Sequence, residues 1–385
     1  MVRWSPAGVA RRKLSRGGLA ISAETGKLPF YGSRVGKRSA AEDPVLKRRM
    51  RFLIGLVLIA GVTTPAYALY PFKSAAAPGD RLVSLREVAS RYGFGLRAPP
   101  GKKIYLTSSA ITIEFETDSR NMRINDHEVW LHAPVSRSWG RWCITETDVQ
   151  KVIFPIISPV ALLRGTRAAV VVLDPGHGGP DQGASGRRGL VESRTALDIA
   201  RRVRAKLVNV GLRTYLTRDV DRFIELDERA RIAVARQADL FVSIHLNAAQ
   251  NHSSRGIETY VLTCHGYPST AATSDTRNGA RYAANGRDMA NTILGYSLQK
   301  NIRDATRTED RGLRRARFLV LRAAPCAAAL IEGGFLSNLN DEKMLMSDVY
   351  RDNLAAGIAR GVLEYVRLVH EAQPPPVPAP SKAER

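Results

Sequence analysis

The sequence predicts an α/β fold, in which a mixed or mostly parallel sheet carries helices on both faces and is preceded by a small α+β domain. From Ala168 onward, apolar runs of strand length alternate with longer stretches of helical periodicity. Residues 69–163 show instead one short helix followed by strands of alternating polar and apolar residues. The 385 residues, 44% of them hydrophobic, suffice for about two domains whose cores form without disulfides or metal.

The amino-terminal part of the chain is predicted to be an export signal behind a leader. A basic cluster leads into the apolar run 52–60, which is followed by a small-x-small cleavage site that ends at Ala68. This run is shorter than the about 20 residues of a membrane span, so we expect a signal peptide at 50–68 rather than a permanent membrane anchor. Residues 1–49 are expected to be a spurious or non-structural leader, with an unusually long basic region as the alternative. The mature protein would begin near Leu69 and be exported to the periplasm or cell envelope.

A small α+β accessory domain is predicted over residues 69–163. A Ser and a Glu at capping-box spacing open an amphipathic helix over Leu85–Tyr92. Alternating runs then predict strands at 103–107, 111–117 and 122–131. The last run folds back at Asn125-Asp126, a turn dipeptide. His127 and His132 on this hairpin are expected to be surface or packing residues rather than metal ligands.

The second folded segment, residues 168–370, is predicted to be the catalytic domain. Its apolar runs predict strands at 168–173, 212–217, 240–244, 257–263, 318–321 and 327–331. Its helical periodicity predicts helices at 192–208, 226–235 and 348–369. The polar stretch 266–287 is predicted to be a long loop, and residues 371–385 a Pro-rich disordered tail.

Charge and cysteine content exclude several classes of protein. The formal net charge is +22, and from Leu69 onward 45 Lys and Arg stand against 33 Asp and Glu, mostly as scattered arginines. Such a chain is drawn to any anionic polymer, and without an aromatic-interleaved basic stripe or a nucleic-acid motif we expect no nucleic-acid partner. Cys143, Cys264 and Cys326 lie far apart, which excludes a disulfide-dense scaffold and a Cys-only zinc knuckle.

Polar side chains stand where three of the predicted strands end. His177, His245 and Glu332 each follow an apolar run, and in an open α/β sheet ligands gather at the carboxyl ends of strands. Glu192 opens a predicted helix, where the macrodipole favours an ionised carboxylate. Two imidazoles and one carboxylate, with a fourth position open to water, form a catalytic zinc site. We therefore predict zinc ligation by His177, Glu192 and His245, although each alone could satisfy backbone groups or cap a helix.

These positions lie within a series of motifs spread over the second segment. The motifs include Val172-Leu-Asp-Pro-Gly-His-Gly-Gly179, Gly189-Leu-Val-Glu192, Val242-Ser-Ile-His-Leu-Asn-Ala248, Gly256-Ile-Glu-Thr-Tyr260, Asp310-Arg-Gly-Leu313 and Leu330-Ile-Glu-Gly-Gly-Phe-Leu-Ser-Asn338. In order and in type, they resemble the bacterial zinc-dependent N-acetylmuramoyl-L-alanine amidases. The resemblance implies Zn²⁺ on His177, Glu192 and His245, with Glu332 as the catalytic carboxylate. It departs from the family at Ser193-Arg194, where Lys is usual.

The resemblance implies hydrolysis of the amide between N-acetylmuramic acid and L-alanine in peptidoglycan, by a zinc-activated water. Asn247 and Arg218 could orient the stem peptide or its carboxylates, or they could be structural. The sequence leaves open whether the 266–287 loop covers the site and whether an unidentified activator protein controls it. Two alternatives remain, namely a zinc peptidase or carboxypeptidase acting on cell-wall peptides, and a non-catalytic peptidoglycan-binding regulator.

Overall fold

The structure, a computed structural model, describes residues 77, 79–270 and 280–374. The predicted leader and signal peptide, the middle of the 266–287 loop and almost all of the Pro-rich tail lie outside the described residues. Among the helices of the described ranges, none has the length and apolarity needed to cross a membrane.

Most strands of the described chain join one mixed sheet. In chain order the strands are β1 (Leu82–Ser84), β2 (Gly95–Arg97), β3 (Lys103–Thr107), β4 (Thr112–Glu116), β5 (Asn121–Ile124), β6 (His127–Trp130), β7 (Ser136–Ser138), β8 (Arg141–Thr145), β9 (Val170–Pro175), β10 (Arg213–Leu216), β11 (Leu240–Asn247), β12 (Ile257–Leu262), β13 (Asp310–Ala316) and β14 (Ala327–Phe335). Eleven of these described strands pair in the order β10-β9-β11-β14-β12-β13-β6-β5-β4-β3-β2, while β1, β8 and β7 form a smaller sheet. Strands β10, β9, β11 and β14 run parallel, and β12 is antiparallel to β14. The predicted mixed sheet is confirmed.

Helices cover both faces of the catalytic half of the sheet. The helices are α1 (Leu85–Tyr92), α2 (Glu192–Asn209), α3 (Leu226–Ala235), α4 (Asp288–Thr306), α5 (Leu319–Ala323), α6 (Leu339–Met346) and α7 (Asp348–Glu371). Short helical turns follow β8, at Glu146–Asp148, Val149–Ile153, Phe154–Ile157 and Pro159–Leu162, and a 3₁₀ turn lies at Ala283–Arg287. Because side chains alternate along a strand, Ile244 and Ile331 enter the large core with α2, α4 and α7. Phe241 and Leu330 point the other way, into a smaller core with α3 and α5.

The accessory segment continues the catalytic sheet. Strand β6 pairs in parallel with β13 at Val129 and Leu313, and both side chains are buried in the same large core. The ammonium group of Lys151 lies 2.7 Å from Asp288 Oδ2 at the start of α4. The two predicted segments therefore share one sheet and one core.

Local signals predict several elements well. Helix α1 occupies the predicted residues, with the Ser84 hydroxyl accepting from the Glu87 N–H and Gly93 ending the helix at a φ of +72°. Asn125 and Asp126 adopt positive φ at the predicted turn. His127 and His132 are both buried, and His132 bonds to Asp148, which fits the expected packing role.

Other predictions fail at identifiable places. The run at 318–321 is not a strand but the start of helix α5, and the strand of this region is β13. The buried side chains of Arg314 and Arg315 in β13 hide its apolar pattern. Helices α4 and α6 are not predicted by the sequence pattern either. The three cysteines are free and buried.

Candidate active site

His177 lies in a tight loop directly after β9, with a φ of +57°. Two buried arginines hold this loop by its backbone. Arg218 donates to the carbonyl oxygens of Pro175 (3.0 Å) and Gly176 (2.6 Å), and Arg229 donates to those of Pro175 (2.8 Å) and His177 (2.9 Å). Charged donors on backbone carbonyls are among the stronger hydrogen bonds of a protein interior. The position of His177 is therefore fixed by groups far from it in the sequence.

Two glycines allow the side chains of the site to approach the backbone closely. A Cβ atom on Gly176 would lie 2.2 Å from the His245 ring. A Cβ atom on Gly183 would lie 2.5 Å from Glu192 Oε2 and 2.7 Å from His177 Cδ2, and Gly183 also has a φ of +67°. Both positions therefore require glycine for steric reasons.

His177, Glu192 and His245 come together at this edge of the sheet. Glu192 Oε1 lies 3.1 Å from His177 Nε2 and 3.0 Å from His245 Nδ1. One ligand atom from each residue can be chosen so that all three lie within 4.8 Å of one another. Tetrahedral zinc with bonds of about 2.1 Å separates its ligand atoms by about 3.4 Å, a spacing within this range. The cluster could hold a metal ion.

Carboxylates and backbone groups orient these side chains. His177 Nδ1 lies 2.9 Å from Asp181 Oδ2, so that Nε2 faces Glu192. Glu192 begins helix α2 and accepts the backbone N–H groups of Ala184 (2.8 Å) and Leu246 (3.1 Å). Burial would lower the pKa of His177, but hydrogen bonds to Asp181 and Glu192 outweigh it and raise that pKa to about 10. Burial would raise the pKa of Glu192, but the two histidines hold it well below its usual range. The cluster thus stabilises a buried carboxylate by neighbouring imidazoles.

Glu332 stands beside this cluster in the middle of the sheet. It is directly opposite His245 on the neighbouring strand β11 and directly opposite Glu258 on β12, so the three side chains share one face. Glu332 Oε2 is buried and has no hydrogen-bond partner among the described residues. Burial, reinforced by the charges of Glu192 and Glu258, raises the pKa of Glu332 well above its usual range. A half-buried glutamate with one buried oxygen left unpartnered is typical of a functional site.

Comparison with protein families identifies the fold that carries this geometry. The family model described as N-acetylmuramoyl-L-alanine amidase matches residues 171–364, about half of the chain and all of the clustered residues. The chain belongs to this amidase family. The expected resemblance is confirmed.

Individual members of the amidase family are about one-third identical to this chain. The N-acetylmuramoyl-L-alanine amidase AmiC of Neisseria meningitidis is 36% identical over 225 residues, which are 53% of this chain and 54% of that protein. The amidase AmiA of Escherichia coli is 35% identical over 218 residues, 51% of this chain and 75% of that protein. The amidase LytC of Bacillus subtilis is 36% identical over 197 residues, 51% of this chain and 35% of that protein. The matched region therefore spans about half of the Neisseria relative's length.

The two predicted stem-peptide contacts differ in their surroundings. Arg218 is fully buried, and besides the loop carbonyls it donates to Ser193 and Val220. Its donors are thus used within the amidase fold, so it positions the His177 loop instead of facing a stem peptide. Asn247 is half-buried and donates through Nδ2 to Glu258 Oε2 at 3.1 Å. Its contact with the stem peptide stays a prediction.

Three residues of the site were not identified from the sequence. Arg229 holds the His177 loop, Glu258 adjoins Glu332, and Arg311 bonds to Glu258. Glu258 and Arg311 lie in motifs of the amidase resemblance, but the type of residue alone does not show which charged side chain is buried. Their functional position follows from strand register and from contacts across the sheet.

Proposed function

We propose that the protein hydrolyses the amide between the lactyl group of N-acetylmuramic acid and L-alanine in peptidoglycan. The observation that supports this most directly is the juxtaposition of a two-histidine, one-carboxylate cluster with Glu332, whose Oε2 is buried and has no partner among the described residues, in a fold of the amidase family. The relatives named as N-acetylmuramoyl-L-alanine amidases give the reaction and the bond.

Zn²⁺ is the metal that fits the donor set. Two imidazole nitrogens and one carboxylate are the ligands of catalytic zinc sites, which leave one position open. Softer metals favour thiolate ligands, and the three cysteines are not among the clustered residues. His177, Glu192 and His245 would hold the ion, with Asp181 fixing the ring of His177 from behind.

Glu332 would carry out the proton transfers of the reaction. When bound, Zn²⁺ supplies an activated water and polarises the substrate carbonyl. Glu332 would take the proton from the attacking water and deliver it to the nitrogen of L-alanine as the amide bond breaks. Burial and the charges of Glu192 and Glu258 raise the pKa of Glu332, which is the direction expected for a carboxyl group that both accepts and releases a proton.

Substrate and location follow from the same proposal. Peptidoglycan carries many carboxylates, and the basic mature chain would be attracted to it. Action on this polymer requires export to the periplasm or cell envelope, which agrees with the signal peptide predicted at 50–68. Control by an activator protein stays a prediction from the sequence.

Digestion of purified sacculi tests the proposal against its alternatives. The amidase reaction releases stem peptides with a new L-alanine amino terminus and leaves the glycan strands uncut, and mass spectrometry identifies both products. A carboxypeptidase would release a carboxyl-terminal amino acid instead, and a regulator would release nothing. Chelation followed by readdition of Zn²⁺ to the same sample should abolish and restore the release. Products with intact muramoyl–alanine bonds would refute the proposal.

A further inference from the structure

A β-bulge in strand β13 lies next to Glu258, which stands opposite Glu332 on the neighbouring strand. Ile257 pairs with Asp310 and Thr259 pairs with Leu313, so the two residues Arg311 and Gly312 both stand opposite Glu258. Gly312 adopts a φ of +88° at this point. A bulge of this kind redirects a side chain and is often found next to active sites. Here it directs Arg311 onto the face of the sheet that carries Glu258.

The Arg311 side chain is held at one end and open at the other. Its Nε donates to Glu258 Oε1 at 2.6 Å, and its guanidinium lies 4.9 Å from the centre of the Phe335 ring. These contacts leave both terminal nitrogens without a hydrogen-bond partner among the described residues. The side chain is 22% exposed. Arg311 thus presents a rigid fork of donors of the kind that matches a carboxylate.

A shared carboxylate holds Arg311 and leaves it the more accessible of two arginines. Glu258 is the only carboxylate that Arg311 contacts within the described chain, and it also lies 3.5 Å from Arg314. Burial would raise the pKa of Glu258, but Arg314 and Arg311 keep it below its usual range, so Glu258 stays ionised. Arg314 is enclosed against Trp130, and its charge also faces Glu128. Arg311 is therefore the more exposed guanidinium of the pair, at 22% against 10% for Arg314.

The distance between Arg311 and Glu332 suits a peptide substrate. Strand β13 is separated from β14 by β12 alone, and adjacent strands lie about 4.8 Å apart. The strand of Arg311 therefore lies about 10 Å from that of Glu332. The Arg311 side chain already reaches Glu258 on the intervening strand, so its guanidinium lies nearer to Glu332 than strand β13 does. An extended peptide covers such a gap in two to three residues, at about 3.4 Å each.

We propose that Arg311 is a specificity-determining residue that binds a carboxylate of the stem peptide, carried by the second or third residue from the scissile amide. The inference rests on the proposed amidase function and assigns the substrate class of the same site. Glu258 is then a positioning residue, which holds the fork of Arg311 towards the peptide.

Synthetic muramoyl peptides test this assignment. One substrate has free carboxylates on the second and third stem residues, and two others carry a carboxamide in place of one or the other. Wild-type protein should cleave the free-carboxylate substrate with a kcat/KM about 10- to 100-fold above that for one of the amidated substrates, since a charged hydrogen bond contributes about that factor. R311Q should lose this preference, so that the kcat/KM values for the free-carboxylate and amidated substrates become nearly equal. R311K, which keeps the charge without the fork, should recover part of it.

R314Q is the matched control, because Arg314 pairs with the same carboxylate but is enclosed. We expect R314Q to lower the melting temperature and to reduce the rates on all three substrates by one common factor. Equal wild-type rates on all three substrates would overturn the inference without any variant, and so would an R311Q defect of the same size on each of them. In those cases the proposed amidase function stands, because the muramoyl–alanine bond is still cut. If wild-type protein with Zn²⁺ cuts this bond in none of the substrates, the proposed function and this inference both fail.

Discussion

Substitution of Gly183 by alanine should damage the proposed metal site through steric overlap alone. The new Cβ atom would lie 2.5 Å from Glu192 Oε2, so this oxygen must retreat by about 0.9 Å to reach the 3.4 Å of ordinary contact, and the His177 ring at 2.7 Å must also move. Functional constellations tolerate about 0.5 Å of displacement, and a shift of about 1 Å can reduce the rate by about 10²-fold. We expect Zn²⁺ affinity to fall at least about tenfold, and the amidase rate at saturating Zn²⁺ about 10²-fold.

The assay separates this effect from general backbone strain. Zinc affinity is measured by competition with a chelator of known affinity, and the melting temperature and amidase rate are taken on the same preparation. Gly211→Ala is the control, because Gly211 has a φ of +84° with no atom within 4 Å of the added Cβ. Both variants should lose about 1–2 kcal/mol of stability from the left-handed backbone, but only G183A should lose zinc. Unchanged zinc affinity in G183A would refute the assignment of Glu192 and His177 as ligands.

Three further predictions concern Asp181, Arg229 and His132. Asp181→Asn should reduce Zn²⁺ affinity about 10- to 100-fold with the melting temperature retained, because Asp181 orients His177; unchanged affinity in the chelator titration would contradict this. Arg229→Met should lower the free energy of unfolding in urea by about 3–5 kcal/mol, since it leaves the buried carboxylate of Asp174 without its cation, and a loss below about 1 kcal/mol would contradict it. Burial lowers the pKa of His132, so the unfolded chain binds the extra proton and stability should fall as pH drops below about 6.5, by at most about 1.4 kcal/mol per pH unit. The free energy of unfolding, measured in urea at several pH values, should depend less steeply on pH in H132N than in wild-type protein. Equal pH dependences would show that His132 is not the cause of the loss.

Elements with local signals are predictable from the sequence. Helix α1 carries its own cap, and its observed bounds are the predicted ones. The meeting of His177 and His245 is predictable because parallel strands end at one edge of a sheet. Strands β11 and β14 extend to Asn247 and Phe335, beyond the apolar runs, because polar residues of the site interrupt the pattern before the pairing ends.

Elements that bury charged residues against partners distant in the sequence are not predictable in this way. Strand β13 buries Arg314 near Glu258, 56 positions earlier in the chain, and Arg315 against the carbonyl of Trp130. Nothing near these arginines in the sequence shows that they enter a strand. Arg218 illustrates the same limit, since an isolated arginine at a strand end looks like a substrate contact until its backbone acceptors are known.

The most direct measurement of the central claim compares Glu332→Gln with wild-type protein. The claim is that His177, Glu192 and His245 hold Zn²⁺ while Glu332 carries the proton. Zinc stoichiometry, melting temperature, sacculus binding and amidase rate are determined on one preparation of each protein. We predict unchanged stoichiometry, stability and binding for E332Q, with turnover lower by about 10²- to 10⁴-fold. A wild-type rate in E332Q, or loss of zinc together with the rate, would contradict the assigned role of Glu332.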